Sequence, residues 1–146
     1  MPTIPAENNA TDSLTSIEVR YAETDQMGIV HHANYVVWFE LARTDQCKSS
    51  GYHYSELEAM GFFLVVTGVE VRYRQPARYG DTIQIRCHVD RVTSRGMTFG
   101  YKVLRDDTLL VDGVTHHIWV DAESRRPVRT PEVVRDAFRR LAGVEV

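Results

Sequence analysis

Four long runs in the middle and later parts of the chain alternate apolar and polar residues, as half-buried β-strands do. The runs cover residues 69–73, 83–89, 97–103 and 109–120, and a further short run near the N-terminus covers residues 17–21. Turn-forming residues separate the long runs, among them Gly80-Asp81, Ser94-Arg95-Gly96 and Asp106-Asp107. Short turns between long alternating runs predict antiparallel neighbours in one sheet.

After residue 33 the apolar period changes from two to about 3.6, which predicts a helix of roughly four turns. Its apolar stripe consists of Tyr35, Trp38, Phe39 and Ala42, widened by Val37 and Leu41. Asn34 is the expected N-cap. Because the stripe spans more than half of the girth, other elements should cover most of this helix, while Glu40 and Arg43 on the more polar side are spaced to pair. With short helices expected at residues 55–60 and after Pro131, the class is α+β, one sheet covering one long helix.

Length and composition describe one domain. The 146 residues are 43% hydrophobic and 25% charged, as in an ordinary globular protein. We expect residues 1–15 to form a disordered arm, without the apolar core of a secretory signal, and residues 16–143 to form the domain. A net charge of −3 does not indicate a nucleic-acid partner, and no stretch is apolar enough for membrane insertion. Cys47 and Cys87 lack a CxxC spacing, so we expect free thiols and a cytoplasmic location.

The stretch from residue 21 to residue 35 concentrates groups that do chemistry. Asp25 precedes a glycine, Gly28, and two histidines, His31 and His32, lead into the long helix. A loop carboxylate can act as a general base or as a nucleophile, although loop aspartates more often cap turns. Gly28 is expected to supply a tight backbone turn.

Two segments together carry a family resemblance: Tyr21-x-x-x-Asp25-x-x-Gly28-x-Val30-x-His32-x-x-Tyr35 running into Trp38-Phe39-Glu40, and Val71-x-Tyr73-x-x-Pro76-Ala77-Arg78-x-x-Asp81. They resemble the 4-hydroxybenzoyl-CoA thioesterase family of the hot-dog fold, most closely the acyl-CoA thioesterases associated with the Tol-Pal system. The resemblance implies a five-stranded antiparallel sheet wrapped around a long central helix. It also implies a homodimer joined at sheet edges, often doubled to a homotetramer, with active sites at the dimer interface.

The resemblance also implies roles for individual residues. Asp25 matches the catalytic carboxylate, and His32 and Tyr21 match its partners. His32 would orient the acid or water and protonate the leaving thiolate, and a backbone N–H at the helix N-terminus would polarise the thioester carbonyl. Substrate contacts would come from Gly28, Val30, Tyr35, Arg74 and Arg78. For Tyr21 packing in the core is an equal alternative, and for the two arginines a solvated surface position is the alternative.

The implied activity is that of an acyl-CoA thioesterase, releasing a free acid and CoA. The alternatives are a thioesterase for aromatic acyl-CoA or acyl-carrier-protein thioesters, and a non-catalytic binding or scaffold protein of the same fold. No cofactor is expected, because CoA arrives as part of the substrate. No metal is expected either, because the adjacent strand residues His116 and His117 face opposite ways and cannot share one ion. Phe62, Phe63, Phe99 and Tyr101 suit either kind of acyl pocket.

Overall fold

The computed structural model describes residues 11–144. The strands are β1 (Ser13–Glu18), β2 (Phe62–Tyr73), β3 (Thr82–Val92), β4 (Gly96–Arg105) and β5 (Thr108–Asp121). The helices are α1 (Asn34–Lys48), α2 (Tyr54–Ala59) and α3 (Glu132–Leu141). A 3₁₀ turn, Tyr21–Glu23, lies between β1 and α1.

All five strands belong to one antiparallel sheet in the order β1-β3-β4-β5-β2. The consecutive strands β3, β4 and β5 are joined by short turns, as the alternating runs predicted. β2 pairs with β5 at one edge, and β1 pairs with β3 at the other. The predicted α+β class and five-stranded hot-dog architecture are confirmed.

Helix α1 packs its buried side against the sheet. The rings of Phe39 and Tyr101 stack at 4.2 Å between centroids, and both residues are at most 1% exposed. Gly113 on β5 lies where the helix comes closest, because a Cβ atom there would stand 2.5 Å from the Phe39 ring. The contacts of Phe39 with Tyr101 and Gly113 therefore fix where α1 lies on the sheet.

The prediction that most of α1 would be covered is only partly correct. Val37 and Leu41 are 53% and 48% exposed in the protomer. The predicted pairing of Glu40 with Arg43 is wrong, because Arg43 turns into the core and bonds to the hydroxyls of Tyr54 and Tyr101.

Several element ends differ from the predictions. Strand β1 begins at Ser13, so ordered structure starts before the predicted boundary at residue 16, and the rest of the predicted arm, residues 1–10, lies outside the described residues. Tyr21 belongs to the 3₁₀ turn and not to a strand. Asn34 is the first helical residue and not the N-cap, because its side-chain amide donates to the carbonyl of Glu23 at 2.8 Å. Within residues 11–144, no helix is long and apolar enough to cross a bilayer.

Candidate active site

The segment between the 3₁₀ turn and α1 folds back on itself as a tight loop. Thr24 and Val30 form an antiparallel bridge, and the Asp25 N–H donates to the Ile29 carbonyl at 2.8 Å. The Gly28 N–H closes the tip by donating to the Asp25 carbonyl at 3.0 Å. Gly28 has a φ of +78°, a conformation that other residues adopt only with strain, so this turn depends on glycine.

Asp25 stands at the base of this loop and is half-buried. Its carboxylate Oδ1 accepts the Met27 N–H at 2.8 Å, the contact of an aspartate that caps a turn. The capping role predicted as the alternative is therefore present. It does not exclude a reactive role, because the same carboxylate lines a pocket.

A second carboxylate, missed in the sequence, lies behind the loop. Glu23 is 6% exposed and accepts the Trp38 indole N–H at 2.7 Å and the Arg20 backbone N–H at 2.9 Å. Burial alone would raise the pKa of Glu23, but these two hydrogen bonds and the Arg20 guanidinium at 3.4 Å hold it below its usual value. Glu23 is ionised and inaccessible, which suits a structural support for the loop. No sequence pattern distinguished Glu23 from a surface charge.

His32 occupies the turn that leads into α1. The carbonyl oxygen of His32 accepts a hydrogen bond from the Tyr73 hydroxyl at 2.9 Å, and its ring stacks on that of His31 at 4.2 Å. The His31 Nδ1 atom lies 3.2 Å from the Ala33 N–H. His32 is exposed, so its imidazole can meet a bound ligand.

Tyr35 connects the start of α1 to the segment after β2. Its hydroxyl accepts the Ala77 N–H at 3.1 Å, while the Val30 N–H donates to the Ala77 carbonyl at 2.9 Å. Tyr35 is 2% exposed, and burial raises the pKa of its hydroxyl. The loop, the helix start and the segment around residue 77 therefore form one bonded unit.

These segments enclose a pocket of about 270 Å³. It is lined by Asp25, Met27, Ile29, Val30, His32, Tyr35, Tyr73, Arg74, Gln75 and Pro76. Five of the eight residues predicted for the site are thus brought together. Arg74 at the rim also forms an ion pair with Asp112 at 3.0 Å.

The other three predicted residues lie beside this pocket. Gly28 shapes the loop tip, and Arg78 pairs through its backbone with Ile29. Tyr21 is 75% exposed and stacks on Tyr79 at 5.6 Å, so the alternative in which it packs in the core is wrong.

A separate cavity of about 430 Å³ lies between α1, α2 and the start of β2. Phe62 and Phe63 line it together with Arg43, whereas Phe99 and Tyr101 are fully buried in the core. Arg43 begins a buried polar chain that continues from Tyr101 to Thr115 at 2.6 Å and from Thr115 to His117 at 2.7 Å.

The histidine pair on β5 is divided as predicted. His117 is 3% exposed, while His116 faces solvent and bonds to Glu70 at 2.8 Å. Across residues 11–144, no group of three His, Cys, Asp or Glu side chains is arranged to hold a metal ion.

Comparison with known proteins adds an independent finding. The family model described as the thioesterase-like superfamily matches residues 19–138. A protein of Bacillus subtilis (strain 168), provisionally named an acyl-CoA thioesterase, is 39% identical over 118 residues, which are 80% of this chain and 86% of the relative.

Two solved structures are similar over most of their length. A hypothetical protein from Thermus thermophilus is 40% identical with a TM-score of 0.85, covering 88% of this chain and 98% of the other. A DHNA-CoA thioesterase from Staphylococcus aureus is 32% identical with a TM-score of 0.78, covering 81% of this chain and 80% of the other.

Proposed function

The chain belongs to the thioesterase-like superfamily, and from this membership we infer that it is an acyl-CoA thioesterase, hydrolysing acyl-CoA to a carboxylic acid and CoA. The proposal rests on one observation, the pocket beside the start of α1 that Asp25 and His32 both line. A carboxylate can supply the base or nucleophile of thioester hydrolysis, an imidazole can supply a proton donor, and a helix N-terminus can stabilise the developing oxyanion.

Asp25 carries the reactive step in this proposal. As a general base, its carboxylate takes a proton from water while the water oxygen attacks the thioester carbon. As a nucleophile, it forms an anhydride with the acyl group, which water then cleaves. In both routes the C–S bond breaks, and the CoA sulfur leaves with the bonding electrons and is then protonated. Both routes need the Asp25 carboxylate in its ionised form.

His32 and the start of α1 complete the group. The imidazole orients the water or protonates the leaving thiolate. The N-terminal end of α1 stabilises the negative charge that develops on the thioester oxygen, helped by the helix dipole. Tyr21 joins this group only where a second subunit closes the site, because within one protomer its ring lies outside the pocket.

The CoA part of the substrate needs cationic contacts for its phosphates. Arg74 lines the pocket, and Arg78 lies next to it through the backbone pairing with Ile29. We assign the phosphates to these two side chains. The apolar part of the pocket around Val30 and Tyr35 suits the pantetheine arm and the reacting carbonyl. No cofactor enters this scheme, because water is the only co-reactant.

The edge strand β2 supports a proposal of self-association. This strand has 12 residues, and its apolar Val65, Val66 and Val69 are 41%, 44% and 42% exposed. Long apolar edge strands are templates for pairing with another chain. We therefore propose a homodimer in which β2 pairs with β2 of a second copy, and a dimer of dimers that covers the exposed face of α1 at Val37 and Leu41.

The free thiols of Cys47 and Cys87 fit a cytoplasmic location.

A second candidate substrate is an aromatic acyl-CoA. It is favoured by the 32% identity to the Staphylococcus aureus DHNA-CoA thioesterase. Free-thiol release from short, long and aromatic acyl-CoAs, and from acyl-carrier protein, tests both candidates together. Release from acyl-CoA supports the proposal and ranks the substrates, whereas no release from any CoA ester would contradict it.

A further inference from the structure

We propose that Glu23 is a positioning residue that clamps the Asp25 loop onto the start of α1 and so fixes the placement of Asp25 relative to His32. This inference rests on the proposed thioesterase function for its kinetic consequence. Its structural part, the clamp itself, stands on contacts that are independent of any substrate.

The carboxylate forms the first half of the clamp. Oε2 of Glu23 accepts the Trp38 indole N–H at 2.7 Å, and Trp38 is a buried residue of α1 that is 1% exposed. Oε1 accepts the backbone N–H of Arg20, on the strand side of the loop, at 2.9 Å. One carboxylate therefore joins the segment before the loop to the body of the helix after it.

The backbone of Glu23 forms the second half. Its carbonyl oxygen accepts the His31 N–H at 2.9 Å and the side-chain amide of Asn34 at 2.8 Å. Glu23 lies two residues before Asp25, and His31 is the neighbour of His32. The two reactive residues thus project from segments that are both tied to this one residue.

The contacts require a carboxylate at this position. Two N–H donors point at two different oxygens, and a glutamine offers only one oxygen and places an NH₂ against the other donor. A buried N–H donor left without an acceptor is costly. In a glutamine variant the contact to either the Trp38 indole or the Arg20 backbone should therefore be lost, which would loosen the loop from α1. The Arg20 guanidinium contributes less, because its side chain is 76% exposed and therefore well solvated.

Glu23→Gln is the direct test, with Glu56→Gln on the exposed face of α2 as a matched control. We expect Glu23→Gln to lower kcat about 10- to 100-fold with less than about a threefold change in KM, because misplaced groups lose rate and not ground-state affinity. Trp38→Phe should lower kcat in the same direction. The double variant should be little worse than Glu23→Gln alone, because both changes break one contact.

Amide hydrogen exchange without substrate provides the second readout. The clamp predicts faster exchange confined to residues 24–34 in Glu23→Gln, while the strands keep the exchange of the wild type. Unchanged kcat would overturn the positioning role, and so would a rise in exchange spread over the whole domain. If wild type hydrolyses no thioester, the proposed function fails, and the exchange result still decides whether the clamp exists.

Discussion

The Tyr73 hydroxyl donates a 2.9 Å hydrogen bond to the carbonyl oxygen of His32. Tyr73 is the last residue of the edge strand β2, and His32 lies in the turn before α1. The strand proposed to form the dimer edge is therefore bonded to the proposed catalytic turn. Any change in how β2 is held should reach His32 through this contact.

Tyr73→Phe removes this hydrogen bond and keeps the ring. A neutral hydrogen bond is worth about 1 kcal/mol, so we expect kcat/KM for a hydrolysed acyl-CoA to fall by roughly three- to tenfold. The free energy of unfolding should fall by no more than about 1 kcal/mol, because Tyr73 is 51% exposed. Tyr79→Phe, on another exposed tyrosine, is the control and should keep wild-type kinetics. Equal activity of both variants would mean that the hydrogen bond from Tyr73 to His32 does not affect hydrolysis.

Val66→Asp tests the proposed dimer edge. A charge on the apolar edge of β2 would be buried without a partner in a β2–β2 dimer, so we expect the β2–β2 contact to dissociate, the mass to fall by half or more, and activity to be lost with it. The matched control is Leu14→Asp on the opposite edge strand β1, since Leu14 is 46% exposed and Val66 is 44% exposed. Sedimentation equilibrium measures the mass. Dissociation by Leu14→Asp but not by Val66→Asp would place the interface on the other edge.

Tyr101→Phe tests the buried polar chain behind the helix. The ring would keep its stack on Phe39, but Arg43 and Thr115 would each lose a hydrogen-bond partner. Arg43 keeps its bond to Tyr54 and Thr115 keeps its bond to His117, so two buried hydrogen bonds are lost and no group loses every partner. At about 1 kcal/mol for each bond, urea unfolding should show a loss of about 1–3 kcal/mol. A loss below about 0.5 kcal/mol would show that these groups find other partners.

Stability should depend on pH through His117. Burial first, and then the nearby Arg43 charge, lower the pKa of His117 from 6.5 to about 3. Between these values the unfolded chain binds a proton that the folded protein does not, so stability falls as pH decreases below about 6.5. The contribution is at most about 1.4 kcal/mol per pH unit.

His117→Gln is the variant that isolates this effect. Glutamine does not titrate and can still bond to Thr115, so the difference in unfolding free energy between wild type and variant should change from about pH 7 to pH 5. His116→Gln, at the exposed neighbour, should not change how the unfolding free energy depends on pH. A difference that is constant with pH would show that folding does not change the pKa of His117.

Alternation and turn residues were sufficient to predict β3, because its buried and open positions alternate. They predicted only the end of β2, which has no fully buried position within the protomer. A hydrophobic pattern does not predict burial correctly where burial depends on residues from other helices and strands. Val37 and Leu41 are apolar but uncovered within the protomer, and Arg43 is charged but buried, since the hydroxyls of Tyr54 and Tyr101 reach it from distant parts of the chain.

The sequence predicted only part of the candidate site. The family pattern located Asp25 and His32, and the structure adds that they line one pocket. Glu23 could not be identified, because a glutamate in a loop looks like a surface charge until the Trp38 indole is seen to donate to it. Tyr73 resembled any strand aromatic until its hydroxyl was found on the His32 carbonyl.

Free-thiol release from the best acyl-CoA, measured for wild type and Asp25→Asn side by side, shows most directly whether the Asp25 carboxylate drives hydrolysis. Asparagine keeps the size and the acceptor for the Met27 N–H while removing the charge, so the turn should persist, with an unfolding curve like that of wild type. We expect a loss of kcat of at least about 100-fold in a folded Asp25→Asn protein. Wild-type rates of thiol release by Asp25→Asn would contradict it.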